Sequence, residues 1–496
     1  MSRQTAVKSI FWLTLSEILF NLSGYIIHAV AGRHLGPADY GRYSLVITLT
    51  TVIVVLVGNG IPTAMSRYLS EAFEKNPSMV FSIKKQGVRL QTLVIGLVTI
   101  VFFLISPLIA RALNDPTLTP LFQLSSLIIP AFAAASFYFS YFTGLHLFNH
   151  QSTLKSFRSV ARVTIIVGLV LVFGLQGAII GYIIAPLLTF LLGLYLDKKV
   201  SLQYGYHDET LISSQSSFPY QKLLNYAYPI TLFMLFYEIF VSIDLYLIKA
   251  LLKNDVLTGL YNAALTIGRI PYYLFYALSI FLLPALAKIK SENDTKKLST
   301  VMTQAMRYAG IILLPTYILI TAYATPLTKL FFGNKYISSA PVLQILVLGL
   351  SFLTVFYLLC SALNGIGRAR LSMWLSIIGT IFNVILNYIL IKQNGIIGAA
   401  YATTISAIIT TVIALIISQR YIPLFFHWSV IFKTIITGII LWYATSLFPA
   451  RNSIFILYSF ILGIAYLYAL FLLGVITKED VSHIYKTKSH AHVAEK

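Results

Sequence analysis

Apolar residues in this chain run for about twenty positions at a time and then give way to short polar stretches carrying Lys, Arg, Gly and Pro. Neither strict alternation nor a narrow helical stripe dominates. A run of about 20 residues is what a helix needs to cross hydrocarbon. Runs of that kind predict spans over 10–31, 43–60, 90–110, 119–143, 157–174, 177–196, 222–248, 257–283, 303–325, 340–362, 371–391, 396–418, 431–448 and 454–475. The expected fold class is therefore all-α: a polytopic membrane protein with about 14 transmembrane helices. The polar stretch 197–219 divides the chain. It predicts an N-terminal helical bundle over 1–196, a linker over 197–219, and a C-terminal bundle over 220–418. Two additional helices follow over 419–475, then a tail over 476–496.

Composition removes the soluble alternatives. Of 496 residues, 58% are hydrophobic and only 10% charged, against about 25% charged in an ordinary soluble domain. Mean hydropathy is +0.82. The net charge of +20 would suggest nucleic acid in a soluble chain. Here the cations sit in short segments between apolar runs, which fits anchoring beside anionic lipid and no nucleic-acid partner. With the N-terminus inside, 26 Lys and Arg fall on the inner side and nine on the outer, leaving Arg269 within a span. That bias predicts cytoplasmic termini and a multi-pass protein of the cell membrane. Residues 1–8 lead directly into the first span, so no cleavable signal peptide is expected. Cys360 is the single cysteine and lies in an apolar run, which reads as packing. The stretch 66–85 mixes charges with Tyr68, Leu69, Phe73, Val80 and Phe81 and reads as an interfacial helix or two short ones.

Weak internal similarity runs through the chain. Gly41-Arg-Tyr43 matches Gly259-Leu-Tyr261 at an offset of 218, Pro62 matches Pro284 at 222, and Gly144 and Gly177-Ala178 match Gly365 and Gly398-Ala399 at 221. This spacing reads as a duplicated seven-helix unit with opposed orientations, a symmetry common in alternating-access transporters.

Charges at membrane depth are costly and face a cavity or a partner. Glu17 lies in the first span, Glu238 and Asp244 in the seventh, and Arg269 in the eighth. One reading is a polar cavity in which Arg269 faces an anionic group while Glu17 or Glu238 titrates or holds a cation. The other is a Glu238–Arg269 ion pair that staples adjacent helices. Asp244 stands roughly 240° around the helix from Glu238 and either lines the cavity or approaches the outer headgroups near Lys249. His28 shares the face of Glu17 to within about 20°, and either lines the same path or sits at the interface. Asn21, four residues after Glu17, either orients its carboxylate or packs. Pro229, Pro271, Pro284 and Pro315 predict bends, with Arg269 close to one of them. Asn383, Asn387 and Gln344 read as interhelical glue. No Walker loop and no His-Glu-x-x-His zinc motif occurs, and no long soluble segment is present to house a glycosyltransferase. The chain is thus expected to be no enzyme and to carry no bound cofactor or metal.

Four motifs carry a family resemblance. The segment Gly36-Pro-Ala-Asp-Tyr-Gly-Arg-Tyr43 resembles the Leu-Gly-Pro-x-x-Tyr-Gly-x-Tyr signature of polysaccharide biosynthesis membrane proteins. Gly60-Ile-Pro-Thr-Ala-Met-Ser-Arg-Tyr68, Ala362–Arg368 and Gly395–Tyr401 are similar to further patterns of that family. The resemblance covers roughly residues 8 to 475 and points to Wzx-type flippases of the multidrug/oligosaccharidyl-lipid/polysaccharide exporter superfamily. It implies two six-helix bundles around a central cavity, with two helices added at the C-terminus. It also implies alternating access: the headgroup of a polyprenyl-diphosphate-linked oligosaccharide crosses to the outer leaflet while its tail stays in lipid. In that scheme Arg269 contacts phosphate, and Glu17 or Glu238 couples movement to protons, sodium or the membrane potential. A glycan polymerase or glycosyltransferase is an expected partner. The motif over 36–43 is expected in an external loop, with Tyr40 and Tyr43 as interface anchors. The rivals are an ion-coupled multidrug or small-solute exporter of the same superfamily and a non-transport scaffold for glycan assembly.

Overall fold

The computed structural model describes residues 3–75, 79–204, 218–273, 294–425, 427–449 and 453–477, together with positions 275, 282, 286, 289, 290, 292 and 480. Helices dominate, and no strand occurs among the described residues. They are α1 (Arg3–Gly58), α2 (Gly60–Lys75), α3 (Met79–Ala112), α4 (Thr119–Ser125), α5 (Ile128–Gly144), α6 (Phe148–Tyr204), α7 (Tyr220–Leu252) and α8 (Asp255–Gly268). Then come α9 (Thr295–Ala322), α10 (Ala324–Phe332), α11 (Ala340–Gly365), α12 (Ala369–Gln419), α13 (Trp428–Leu447) and α14 (Ile454–Leu472).

Ten described stretches are long and apolar enough to cross a membrane. Three of them, Leu15–Phe73, Phe148–Leu202 and Ala369–Gln419, run for 59, 55 and 51 residues. At about 1.5 Å per residue each would be more than twice the roughly 30 Å hydrocarbon thickness. Glycine divides all three. Gly36 (φ 74°, ψ 172°), Gly174 (φ 56°, ψ −134°) and Gly395 (φ 59°, ψ −137°) leave the helical region inside α1, α6 and α12. With those three divided, the ten stretches give thirteen helical segments, which correspond to thirteen of the fourteen expected spans. The remaining expected span, 257–283, begins in α8 and runs onto residues outside the described set. The linker is described only at 197–204, which ends α6, and at 218–219; its residues 205–217 lie outside the described set, as does nearly all of the tail.

The internal repeat is visible in backbone detail. A Cβ on Gly177 would lie 2.0 Å from the carbonyl oxygen of Leu169, and a Cβ on Gly398 would lie 1.9 Å from that of Leu390. The same 221-residue step relates the left-handed residues His146 (φ 57°) and Gly367 (φ 81°). It also relates the turn bonds from Leu147 N–H to the Phe142 carbonyl and from Arg368 N–H to the Leu363 carbonyl, both 2.8 Å. These elements belong to the fifth and sixth spans and to the eleventh and twelfth. The repeated unit therefore has six helices rather than seven. An even number returns the chain to its starting side, so the opposed orientation expected of a seven-helix unit falls away.

Contacts group the chain into two compact units. The first comprises residues 9–262 and 376–384. In it α2 packs on α3, α5 and α7, and α5 packs along α6. Ala64, Met65, Leu69, Phe137, Tyr141 and Phe142 form part of its core. The stretch 66–85 falls on two helices: residues 66–75 end α2, which buries Leu69 and Ala72 on one face and exposes Arg67 and Glu71 on the other, and residues 79–85 open α3. The second unit holds residues 1–8, 263–375 and 385–496. There α9 packs on α11 and α13, and α13 on α14, around Ile311, Ile318, Leu441, Leu462 and Leu470. Lipid offers helices no hydrophobic drive to associate, so small residues and hydrogen bonds serve instead. In the second unit the Gln344 amide donates to the Thr321 carbonyl at 3.2 Å and the Asn387 amide to Thr403 Oγ1 at 3.4 Å.

Candidate functional site: a cationic face and a buried polar junction

Helix α6 starts at Phe148, nine residues ahead of the span expected from 157. Lys155, which lies ahead of that expected span, therefore shares one helix with Arg158 and Arg162. Their i, i+3, i+7 spacing places them within an arc of about 60°. All three turn into the first unit, toward α1 and α5. The Arg158 side chain is buried, with its guanidinium carbon 3.8 Å from the centre of the Phe132 ring. Phe20 gathers all three cations, at 5.7 Å from Lys155, 5.4 Å from Arg158 and 4.6 Å from Arg162. Gly24 lies one turn further along α1, where even a Cβ would reach within 3.8 Å of Arg162 Nη2.

One carboxylate answers these charges. Lys155 donates to Glu17, which is buried. Among the described residues no carboxylate lies within ion-pair distance of Arg158 or Arg162. Cation–π contact returns about 0.5–2 kcal/mol per pair, less than the cost of removing a guanidinium from water. Three cations stand against one anion, walled by Phe20, Phe132 and Phe139, an excess of positive charge whose chemistry suits an anionic group. Planar guanidinium forks suit phosphate oxygens in particular. The sequence did contain this signal. The 155, 158, 162 spacing is a helix face, although the apolar run opens only at Phe157 and leaves Lys155 outside the expected span.

A second polar cluster is built by the 36–43 motif. Only Gly36 leaves the helix, and Pro37 opens the next arm, where its missing N–H costs nothing. Tyr40 and Tyr43 are both fully buried, which corrects their assignment as interface anchors in an external loop. Tyr40 Oη meets His28 Nδ1 at 3.0 Å and accepts from the Asn262 amide at 3.0 Å. Tyr43 Oη meets Tyr182 Oη at 3.0 Å. The motif approaches α8 so closely that a Cβ on Gly41 would stand 2.2 Å from the Asp255 carbonyl oxygen. Arg42 donates to Asp255 at 3.0 Å and stands 3.6 Å from Asp115. Lys249 donates to Asp115 at 2.9 Å and also pairs with Asp255. Burial alone would raise the Asp115 carboxyl, but bonds from Thr117 and Lys249 and the nearby charge of Arg42 hold it below the ordinary carboxylate range.

The residues singled out in the sequence are distributed as follows. Glu17 joins the cationic face. Asn21, on the next turn, is half-buried and makes no side-chain hydrogen bond among the described residues. His28 belongs to the Tyr40 junction. Asp244 is fully buried and accepts from Tyr261 Oη and, at 2.9 Å, from the Leu245 N–H, so it does not extend toward headgroups. Glu238 is half-buried on α7, with its backbone carbonyl accepting from Ser242. Arg269 is half-buried at the first position past α8, just before the buried Pro271. Glu17, Asn21, His28, Glu238 and Asp244 fall in the first unit and Arg269 in the second.

Comparison with known proteins agrees with this architecture. The model of the family described as "Polysaccharide biosynthesis protein" matches residues 6–290, and that of MatE matches residues 229–389. An uncharacterized membrane protein of Methanocaldococcus jannaschii is 26% identical over 81% of this chain and 81% of its own length. Stage V sporulation protein B of Bacillus subtilis is 22% identical over 86% of this chain and 85% of its own. The probable low-salt glycan biosynthesis flippase Agl15 of Haloferax volcanii is 22% identical over 38% of this chain and 41% of its own. Among solved structures, the lipid II flippase MurJ in an inward closed conformation superposes with a TM-score of 0.73, at 18% identity over 93% of this chain and 98% of that one. An inward-facing multidrug resistance MATE family transporter gives 0.66, at 15% identity over 84% and 98%. A transporter of the same superfamily from Pyrococcus furiosus, described as having a binding pocket of reverse polarity, gives 0.65, at 16% identity over 84% and 96%. Agl15 and the three solved structures are named as flippases or transporters, not as enzymes. A multi-pass, all-helical chain with this fold, matched from residue 6 to residue 290, belongs to the polysaccharide biosynthesis protein family of membrane transporters.

Proposed function

We propose that this chain flips a polyprenyl-diphosphate-linked oligosaccharide from the cytoplasmic to the outer leaflet by alternating access, for assembly of a surface polysaccharide or glycan. The observation that carries the reading is the cationic face of α6, where Lys155, buried Arg158 and Arg162 meet one carboxylate, Glu17. A diphosphate cannot cross hydrocarbon unaided, because its charges and the sugar hydroxyls would lose water. A wetted path with fixed guanidinium groups replaces that water for the headgroup, while the tail stays in lipid. Arg269 is a further cation proposed to contact phosphate. The termini lie on the cytoplasmic side, protons or sodium drive the cycle, and a polymerase or glycosyltransferase works next to it.

The second reading is an ion-coupled multidrug exporter, favoured by the likeness in fold to MATE transporters. A site for cationic drugs calls for an excess of buried acid. The face described here has the opposite sign.

The experiment reconstitutes the protein in liposomes with a labelled polyprenyl-diphosphate oligosaccharide and follows movement between leaflets, with and without a proton or sodium gradient. Arg158→Gln and Arg269→Ala are each compared with the parent. Movement by the parent that is lost in Arg158→Gln, with the variant still folded, supports the reading. Efflux of organic cations by a parent that moves no glycan lipid replaces it with the exporter.

A further inference from the structure

Within the second unit, α9 and α13 enclose a cavity of about 260 Å³. Met306, Ile311, Leu314, Val430 and Ile431 line it, and Arg307 stands in its wall. Gly310 leaves the cavity wide, since a Cβ there would meet nothing within 4 Å. At Gly438 the helices close, where a Cβ would stand 2.6 Å from Leu314.

The chain's own C-terminal segment reaches this arginine. After α14, Val475 and Ile476 pack into the same apolar cluster as Tyr308 and Ile311. Thr477 and Asp480 then form a reciprocal capping pair. Asp480 N–H donates to Thr477 Oγ1 at 3.2 Å, and the Thr477 N–H and hydroxyl donate to Asp480 Oδ2 at 2.8 and 2.9 Å. That leaves Oδ1, which accepts from Arg307 Nη2 at 2.7 Å and Tyr308 Oη at 2.6 Å. Arg307 Nη2 also donates to Tyr308 Oη at 3.2 Å, so the guanidinium meets a single carboxylate oxygen, and its buried Nε has no hydrogen-bond partner among the described residues. A phosphate could take Nε and Nη2 together, the two-pronged geometry for which guanidinium is suited.

We propose that this groove binds an anionic phospholipid of the surrounding bilayer through Arg307, and that Asp480 is a built-in competitor holding the site closed. Charge complementarity names the occupant: an apolar slot for a chain beside a guanidinium for a phosphate, in a protein of net charge +20. Asp480 stays ionised while it competes. Burial would raise its carboxyl, but the bonds from Tyr308 and Thr477 and the charge of Arg307 pull it down to about 2. A competing anion, rather than a proton, therefore opens the contact. The site is separate from the cationic face of α6, and its test does not depend on what the protein transports.

Purified full-length protein in neutral detergent is titrated with phosphatidylglycerol, phosphatidylcholine or polyprenyl phosphate, and bound lipid is read by native mass spectrometry. Asp480→Asn should bind phosphatidylglycerol roughly tenfold more tightly than the parent, the scale of one charge-assisted hydrogen bond removed from competition. Phosphatidylcholine binding should not change. Tyr308→Phe, a milder variant that removes one of the two bonds to Oδ1, should give a smaller gain. Arg307→Gln should abolish the gain in the Asp480→Asn background, and Gly310→Phe should fill the groove and block binding. An unchanged phosphatidylglycerol affinity in folded Asp480→Asn and Tyr308→Phe, or a gain that survives Arg307→Gln, overturns the proposal. A gain confined to polyprenyl phosphate also overturns it, by reassigning the groove to a substrate tail.

Discussion

Gly41 and Gly259 pack backbone against backbone, so closely that a Cβ built on Gly41 would stand 3.0 Å from the Gly259 nitrogen and one on Gly259 would stand 1.9 Å from the Pro37 carbonyl oxygen. They are also the two glycines related by the internal repeat, each followed by a fully buried tyrosine two positions on, Tyr43 and Tyr261. The duplicated triplets thus meet each other inside one unit and seat the start of the second span against the start of α8. The predicted consequence is steric. Gly259→Ala places a methyl against backbone, which cannot move aside as a side chain can, and should cost at least about 2 kcal/mol. Thermal unfolding in detergent checks it, with Gly310→Ala as a control that should be neutral or slightly stabilising.

That relationship was partly legible beforehand. The matched triplets were visible as letters, and so was the 221-residue step that reappears in the backbone at Gly174 and Gly395. Contact between the triplets was not legible, because nothing local encodes a meeting across more than two hundred residues. Tyr40 failed for the same reason. A tyrosine beside Gly-Pro fits a headgroup anchor equally well, and only Asn262, 222 residues away, decides that its hydroxyl is buried. Lys155, Arg158 and Arg162 failed differently. Their periodicity is local and readable, but the apolar run opens only at 157, so the first turns of α6, with Lys155, lie outside the expected span.

The breaks in α6 and α12 should respond alike to substitution. Gly174 and Gly395 share φ near 56–59° and ψ near −134 to −137°, a region that side chains with a Cβ seldom enter. Gly174→Ala and Gly395→Ala should each lose about 1–3 kcal/mol, and the two losses should match because the geometry is repeated. Unequal losses, measured by the same unfolding assay, would show that the surroundings of the two breaks matter more than their torsions.

At the polar junction, Lys249 is the buried cation that answers both Asp115 and Asp255. Lys249→Met leaves two carboxylates facing Arg42 alone, whose side chain is 34% exposed. The expected loss is about 3 kcal/mol, the low end for a broken buried pair, because Arg42 still neutralises one acid. Asp255→Asn in the Lys249→Met background should recover part of it. The pH dependence has a definite sign. Because the folded-state carboxyl of Asp115 lies below its ordinary 3.8, its contribution is fully present above that value and is lost as pH falls through the lowered one. Acid unfolding of the parent should therefore include a component below pH 3.8 that Asp115→Asn removes.

Glu17 sets the charge balance of the α6 face, and its removal gives the sharpest kinetic test of the proposed transport. As long as the carboxylate holds Lys155, an arriving diphosphate must displace an anion, and a departing one is replaced by it. Glu17→Gln removes that competitor and leaves the charges of Lys155, Arg158 and Arg162 unopposed by any carboxylate of the face. A diphosphate should then bind more tightly, by roughly tenfold for one charged partner lost, and should leave more slowly. In the liposome assay this appears as a lower half-saturating concentration of glycan lipid together with a lower maximal rate. Lys155→Gln has the opposite expectation for binding, since it removes attraction to phosphate. A merely structural pair would behave otherwise: both substitutions would lower the amount of folded protein, and neither would separate affinity from rate.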